Sequence, residues 1–218
     1  MGVPVLIIGE SGSGKSCSMR NLYRSRVGVF NVASKPLPFK SGLRTVNHAG
    51  YESIVRSLKA NKLRCYVIDD SQYLMVFEEF ARARESGYNK FTDMALHFYE
   101  LVKTVIDDTT DDTIVYFLHH TRKEDDGTVR AKTVGRMIDD KLNLEGLFTI
   151  VLAAEHDKNG YWFRVRSEGA DTIKAPMGMF GDNATDTKID NDLQTVDYLI
   201  REYYGFAQQE PQEGDNTK

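Results

Sequence analysis

At 218 residues, with 41% hydrophobic and 28% charged side chains, the chain has the composition of one globular domain with room for a sizeable core. No apolar run approaches a membrane span, the first residues already read as a strand rather than a signal peptide, and no Cys/His cluster has zinc spacing. Two cysteines, Cys17 and Cys65, are too few for a disulfide framework, so the expected setting is a reducing cytoplasm with both thiols free.

The elements are taken in chain order. Val3 to Ile8 is a short apolar strand, and Cys17 to Tyr23 after the next turn carries no helix breaker. Val27 to Val32 reads as a second strand, followed by a loop marked by Pro36 and Pro38. Tyr51 to Lys59 is a helix with Ile54, Val55 and Leu58 on one side, and Arg64 to Ile68 is a buried strand ending in Asp69-Asp70. Ser71 to Arg84 and Phe91 to Ile106 are helices separated by Gly87-Tyr88-Asn89. Thr113 to Leu118 is a fourth core strand. The polar stretch after it, up to Thr133, is expected to be a mobile loop.

Gly135 to Leu142 follows as a short helix. Leu147 to Ala154 and Tyr161 to Val165 form a hairpin around Asn159-Gly160, and Asp192 to Tyr204 closes the domain as a helix. Strands alternating with helices predict an α/β fold over residues 1–205: a mostly parallel central sheet flanked by helices, with a C-terminal β-hairpin. Residues 206–218 read as a polar, disordered tail.

Between the first strand and the first helix, Gly9, Glu10, Ser11, Gly12, Ser13, Gly14, Lys15 and Ser16 complete the pattern G-x-x-x-x-G-K-[ST] in the context it requires. Such a turn wraps a polyphosphate with backbone N–H groups, Cys17 included, and the glycines allow its backbone angles. Lys15 is placed to reach the β- and γ-phosphates, and the Ser16 hydroxyl to ligate Mg²⁺. Asp69, ending a strand some fifty residues on, is the expected carboxylate on the metal side, and Asp70 the group that orients or deprotonates water; the two roles are exchangeable at this point. His119 or His120, ending the fourth strand, is the candidate γ-phosphate sensor. The guanine-reading pattern is absent at Thr121-Arg122-Lys123-Glu124, so ATP is the expected nucleotide.

Charge is uneven. Residues 1–66 carry about +9 and the remainder about −13, an imbalance that suits a polyanion or a charged partner surface. Arg122, Lys123, Arg130 and Lys132 add a basic cluster around Asp125-Asp126-Gly127 and are the candidate DNA contacts. A head-to-tail stack of identical subunits would use the same asymmetry.

The phosphate loop, the strand ending Ile68-Asp69-Asp70, the strand ending in polar residues before a basic loop, the hairpin and Lys174-Ala175-Pro176-Met177-Gly178-Met179-Phe180 together resemble the RecA-like ATPases. The similarity is nearest to small bacteriophage ATP-binding proteins of single-strand annealing and recombination. The resemblance spans about residues 3–205, though only the loop and the Asp69-Asp70 strand are specific. It implies an ATP- and Mg²⁺-dependent ATPase in the host cytoplasm that assembles on single-stranded DNA as a ring or filament, with a single-strand-binding or replication protein as a further partner. It also implies that residues 122–132 form a DNA-binding loop, and that Lys174 acts in trans on a neighbour's γ-phosphate. The catalytic glutamate such proteins carry at the end of the second strand has no counterpart in Phe30-Asn31-Val32-Ala33-Ser34. Two rival readings stay open: a small-molecule kinase, and a non-catalytic ATP-gated switch or loader.

Overall fold

Short runs of β-branched and aromatic residues, apolar on both sides, can bury themselves only inside a sheet covered on both faces. The computed structural model describes residues 1–139, 142–169, 171–181 and 187–210. Its strands are β1 (Val3–Gly9), β2 (Val27–Asn31), β3 (Arg44–Asn47), β4 (Cys65–Asp69), β5 (Ile114–Lys123), β6 (Val129–Ala131), β7 (Ile150–Asp157), β8 (Gly160–Arg164) and β9 (Lys188–Asp190). Its helices are α1 (Tyr51–Lys59), α2 (Tyr73–Ala81), α3 (Asn89–Asp108), α4 (Arg136–Asp139) and α5 (Leu193–Tyr204).

The sheet runs β3-β2-β4-β5-β1-β7-β8-β9, with β6 paired to the end of β5. Strands β3 through β7 along this order are parallel; β8 and β9 are each antiparallel to their neighbour. The fold is therefore α/β with a mostly parallel mixed sheet flanked by helices.

Period-two alternation splits the core into two layers. Leu6, Ile8, Val115 and Phe117 face α1, α2 and α3, while Val5, Ile7, Tyr116 and Leu118 face α5. Helix α5 is fixed at both ends: Asp192 caps its first turn by accepting from Gln194 N, and Gly205 ends it at φ 70°. Its buried Arg201 bonds Asp197 at 2.6 Å and donates to the carbonyls of Asp112 and Arg64, tying the helix to the starts of β5 and β4. Among the described residues no helix is long and apolar enough to cross a membrane.

Several elements depart from expectation. The helix expected at 17–23 is a six-residue 3₁₀ turn, Ser16–Asn21. Ser18 Oγ bonds back to Lys15 O and the Asn21 amide reaches Asp192, so the polar side chains compete with α-helical continuation. The mobile loop expected after Leu118 is instead a hairpin: β5 runs on to Lys123 and pairs with β6, with Gly127 at φ 86° in its turn. Strands β3 and β9 were not expected, and α2 stops at Ala81 rather than Arg84. Of the expected disordered tail, residues 206–210 fold back on the domain, with Phe206 N bonded to Arg201 O and Arg26 Nε to Glu210 O. Residues 211–218 lie outside the described residues.

Candidate functional site

Because β5 lies between β1 and β4, three parallel strands deliver their C-terminal ends to one edge of the sheet. That edge is where ligands enter open α/β sheets. Gly9 stands opposite His120 in the β1–β5 register, and β4 ends in Asp69. The turn after β1 has Gly12 at φ 84° and Gly14 at φ 89°, both in the left-handed region that favours glycine. No atom would meet a Cβ at Gly12, whereas at Gly14 a Cβ would fall 2.8 Å from the Tyr161 ring and 3.1 Å from Asn191 Nδ2.

The loop borders a cleft of about 260 Å³, faced by Lys35, Pro36 and Pro38 on one side and by Asp69, Asp70 and His120 on another. Lys15 is only 6% exposed, and its Nζ donates to Gly9 O and Glu10 O, each at 2.8 Å. Burial pushes this ammonium down to about 8, against the pull of Asp70 and Asp69. A desolvated cation held only by neutral carbonyls is one that an anion would satisfy. Ser13 Oγ and Asn191 Nδ2, both buried at the loop, have no hydrogen-bond partner among the described residues.

Ser16 Oγ donates to Asp69 Oδ1 at 2.8 Å. Burial raises the Asp69 carboxyl to about 6, with the Ser16 bond opposing and the neighbouring Asp70 adding to the rise. Asp70 adopts φ 60°, a left-handed conformation rare outside glycine, which turns the chain sharply after β4. Its carboxylate accepts from Lys35 Nζ at 2.6 Å and lies 3.3 Å from His120 Nε2. Burial works to raise Asp70, but the contacts from His120 and Lys35 outweigh it and hold the carboxyl below its ordinary value.

The two histidines part company. His120 is half-buried and faces the cleft. His119 is fully buried, its Nε2 donating to Lys132 O at 2.7 Å and its Nδ1 accepting from Ser71 Oγ at 2.9 Å. Burial lowers His119 to about 4, so it stays neutral and ties the hairpin to the start of α2. We expect NMR titration to show His119 unprotonated down to about pH 5; a midpoint near 6.5 would contradict this placement.

Other expected site residues lie elsewhere. Lys174 is exposed and pairs through its backbone with Val151, which stands opposite Leu6, roughly 10 Å along the strand from Gly9. It does not line the cleft of its own chain. Arg122 is engaged by Glu124 and Asp139, so its charge is compensated, while Lys123, Arg130 and Lys132 are exposed on the hairpin. Cys17 is half-buried and lines the cleft; Cys65 is buried.

Sequence reasoning missed Lys35, Asn191 and Tyr161. Lys35 follows the end of β2 on the same sheet edge as Asp69, and its position between Ser34 and Pro36 was the available signal. Tyr161 comes from β8 and Asn191 from the β9–α5 junction, whose packing against Gly14 no local pattern announces.

No group of three His, Cys, Asp or Glu side chains among the described residues is arranged to hold a metal. Ser16 and Asp69 offer one hydroxyl and one carboxylate, a donor set that suits Mg²⁺ when phosphate oxygens and water complete the shell. Comparison with known proteins returned no matching family model and no matching curated protein.

Proposed function

We propose that this chain is a RecA-like P-loop ATPase that binds ATP with Mg²⁺ in the cleft and assembles on single-stranded DNA, in recombination or annealing of the phage type. The observation that carries the nucleotide reading is the 2.8 Å bond between Ser16, closing the phosphate loop, and Asp69, ending a strand two places away in the sheet. Loop amides and Lys15 bind the phosphates. Ser16 and Asp69 are the residues that would hold Mg²⁺, which would neutralise charge on the phosphates. Lys174, outside its own cleft, would act on the next subunit of an oligomer.

Asp70 stands in for the missing second-strand glutamate, and Lys35 controls it. While Lys35 and His120 hold Asp70, that carboxylate is a weak base. A γ-phosphate competes for the Lys35 ammonium and so frees Asp70 to accept a proton from water. Lys35→Met is expected to lower ATP turnover about 10²-fold, on the scale of a lost transition-state donor.

The test is steady-state ATP hydrolysis with and without single-stranded DNA. DNA-stimulated turnover that falls in Lys35→Met supports the reading; stimulation by a small acceptor would favour a kinase. The double engagement of Asp70 favours one alternative, a non-catalytic ATP-gated switch, whose signature is tight binding with negligible turnover.

A further inference from the structure

Five basic residues of the first third of the chain, Arg26, Arg44, Arg56, Lys62 and Arg64, gather at the end of the sheet opposite the Gly9–Ser16 turn, while Lys15 and Lys35 stay at the cleft. Arg26 precedes β2, Arg44 opens β3, and Lys62 and Arg64 precede β4, all at the N-terminal ends of parallel strands. Two cavities lie there, of about 550 Å³ and 440 Å³. They share Arg44, Lys62 and Leu63 and so form one continuous groove along the β3 edge.

Arg26, Arg44, Arg56, Lys62, Arg64 and Arg201 line this groove, and among the described residues Asp112 is the one carboxylate lining it. Asp112 is taken by Arg64 at 3.0 Å, and Arg201 by Asp197 at 2.6 Å. Arg56 has only a 3.9 Å contact with an exposed Glu52. Arg44 and Lys62, both exposed, have no ion pair among the described residues, and Arg26 donates only to a backbone carbonyl, that of Glu210. Like charges drawn from four chain segments repel, and a concave, weakly screened wall focuses their field.

Strand β3 is the end of the sheet, so half of its backbone N–H groups face outward beside Arg44. Guanidinium, ammonium and backbone amide donors that outnumber the carboxylate facing them constitute a phosphate-binding chemistry. Among the described residues no exposed aromatic lines it, so the contact is to the sugar–phosphate backbone and not to base faces.

We propose that this groove binds the phosphodiester backbone of single-stranded DNA, so that DNA and nucleotide occupy opposite ends of the sheet. The proposal rests on the nucleic-acid part of the function given above, and it moves the DNA contact away from the β5–β6 hairpin, where Arg122 is already paired.

The test is fluorescence anisotropy of a labelled 30-nucleotide oligo(dT) across a salt series. It compares wild type, a groove variant (Arg44→Ala with Lys62→Ala) and a hairpin variant (Arg130→Ala with Lys132→Ala). Thermal melts and ATP binding confirm that each variant folds. The groove variant is expected to bind at least about 10-fold more weakly and to lose about 1.4 from the slope of log K against log salt, with the hairpin variant near wild type. Wild-type affinity and slope in the groove variant would overturn the proposal. Loss confined to the hairpin variant, or to anionic phosphatidylserine vesicles rather than DNA, would do the same. If wild type binds no DNA but still binds ATP, this proposal and the nucleic-acid reading fall together and the nucleotide site stands.

Discussion

Asp69→Asn is expected to stabilise the fold at neutral pH while abolishing ATP turnover. Burial raises the Asp69 carboxyl from an ordinary 3.8 to about 6, so between those values the folded state binds more protons than the unfolded state. Stability attributable to this group is therefore intact below pH 3.8, falls as pH rises through the window, and stays lower above pH 6. A displacement of about two pH units amounts to about 3 kcal/mol.

Asn keeps an oxygen to accept from Ser16 Oγ but carries no charge to desolvate. Lys15 loses the attraction of Asp69 but keeps the larger one, that of Asp70. Thermal melts at pH 7.5 should show the variant more stable by about 3 kcal/mol, or roughly 6–12 °C for a domain of this size, with the gap vanishing near pH 3.5. ATP turnover should fall at least about 10²-fold, because a metal-side carboxylate has gone. A variant that melts lower than wild type at pH 7.5 would contradict the description of Asp69 as a carboxylate penalised by desolvation.

Lys15→Ala has the second large effect, on function alone. The lysine is buried, its acceptors are two carbonyls of its own loop, and burial already disfavours its charge. Removing it deletes a desolvated cation together with two hydrogen bonds inside one loop, terms of opposite sign, so the melting temperature should change little. Turnover should drop about 10²–10³-fold through loss of the charge facing the phosphates. The same lysine imposes a pH limit on wild type. Below about pH 8 it is charged before ATP arrives; above that it must take up a proton to bind. ATP affinity should therefore weaken toward tenfold per pH unit above about 8, measurable as proton uptake on binding. A pH-independent affinity from 7 to 10 would exclude Lys15 from phosphate contact.

Where the sequence was legible, one physical signal sufficed. The stripe Ile54, Val55 and Leu58 gave α1 its limits, and the fully apolar runs in β1, β4 and β5 announced parallel strands buried on both faces. The turn from Gly9 to Ser16 was legible as a turn because its glycines act over eight adjacent residues, and Gly12 and Gly14 take the positive φ they allow.

What was missed depends on partners distant in sequence. Arg44-Thr45-Val46-Asn47 has no apolar alternation and becomes a strand only because β2 offers a free edge. Thr121 to Lys123 looks like loop and becomes strand because β6 returns to pair with it. Once β5 extends that far, strand alternation sends His119 inward and His120 outward, a distinction invisible while the strand was thought to end at Leu118. Arg122 looked free because Asp139, seventeen residues on, was not known to meet it. Lys35 lies in a proline-bearing loop whose return to Asp70 no periodicity encodes.

We propose that the loop from Gly9 to Ser16 and the carboxylate of Asp69 hold a magnesium nucleoside triphosphate. Titration calorimetry of ATP into wild type and Lys15→Ala, each with and without Mg²⁺, tests it most directly. The account predicts one ATP per chain for wild type, weakened when Mg²⁺ is withheld and lost in Lys15→Ala. Absence of binding to wild type, or equal binding to both proteins, would contradict it.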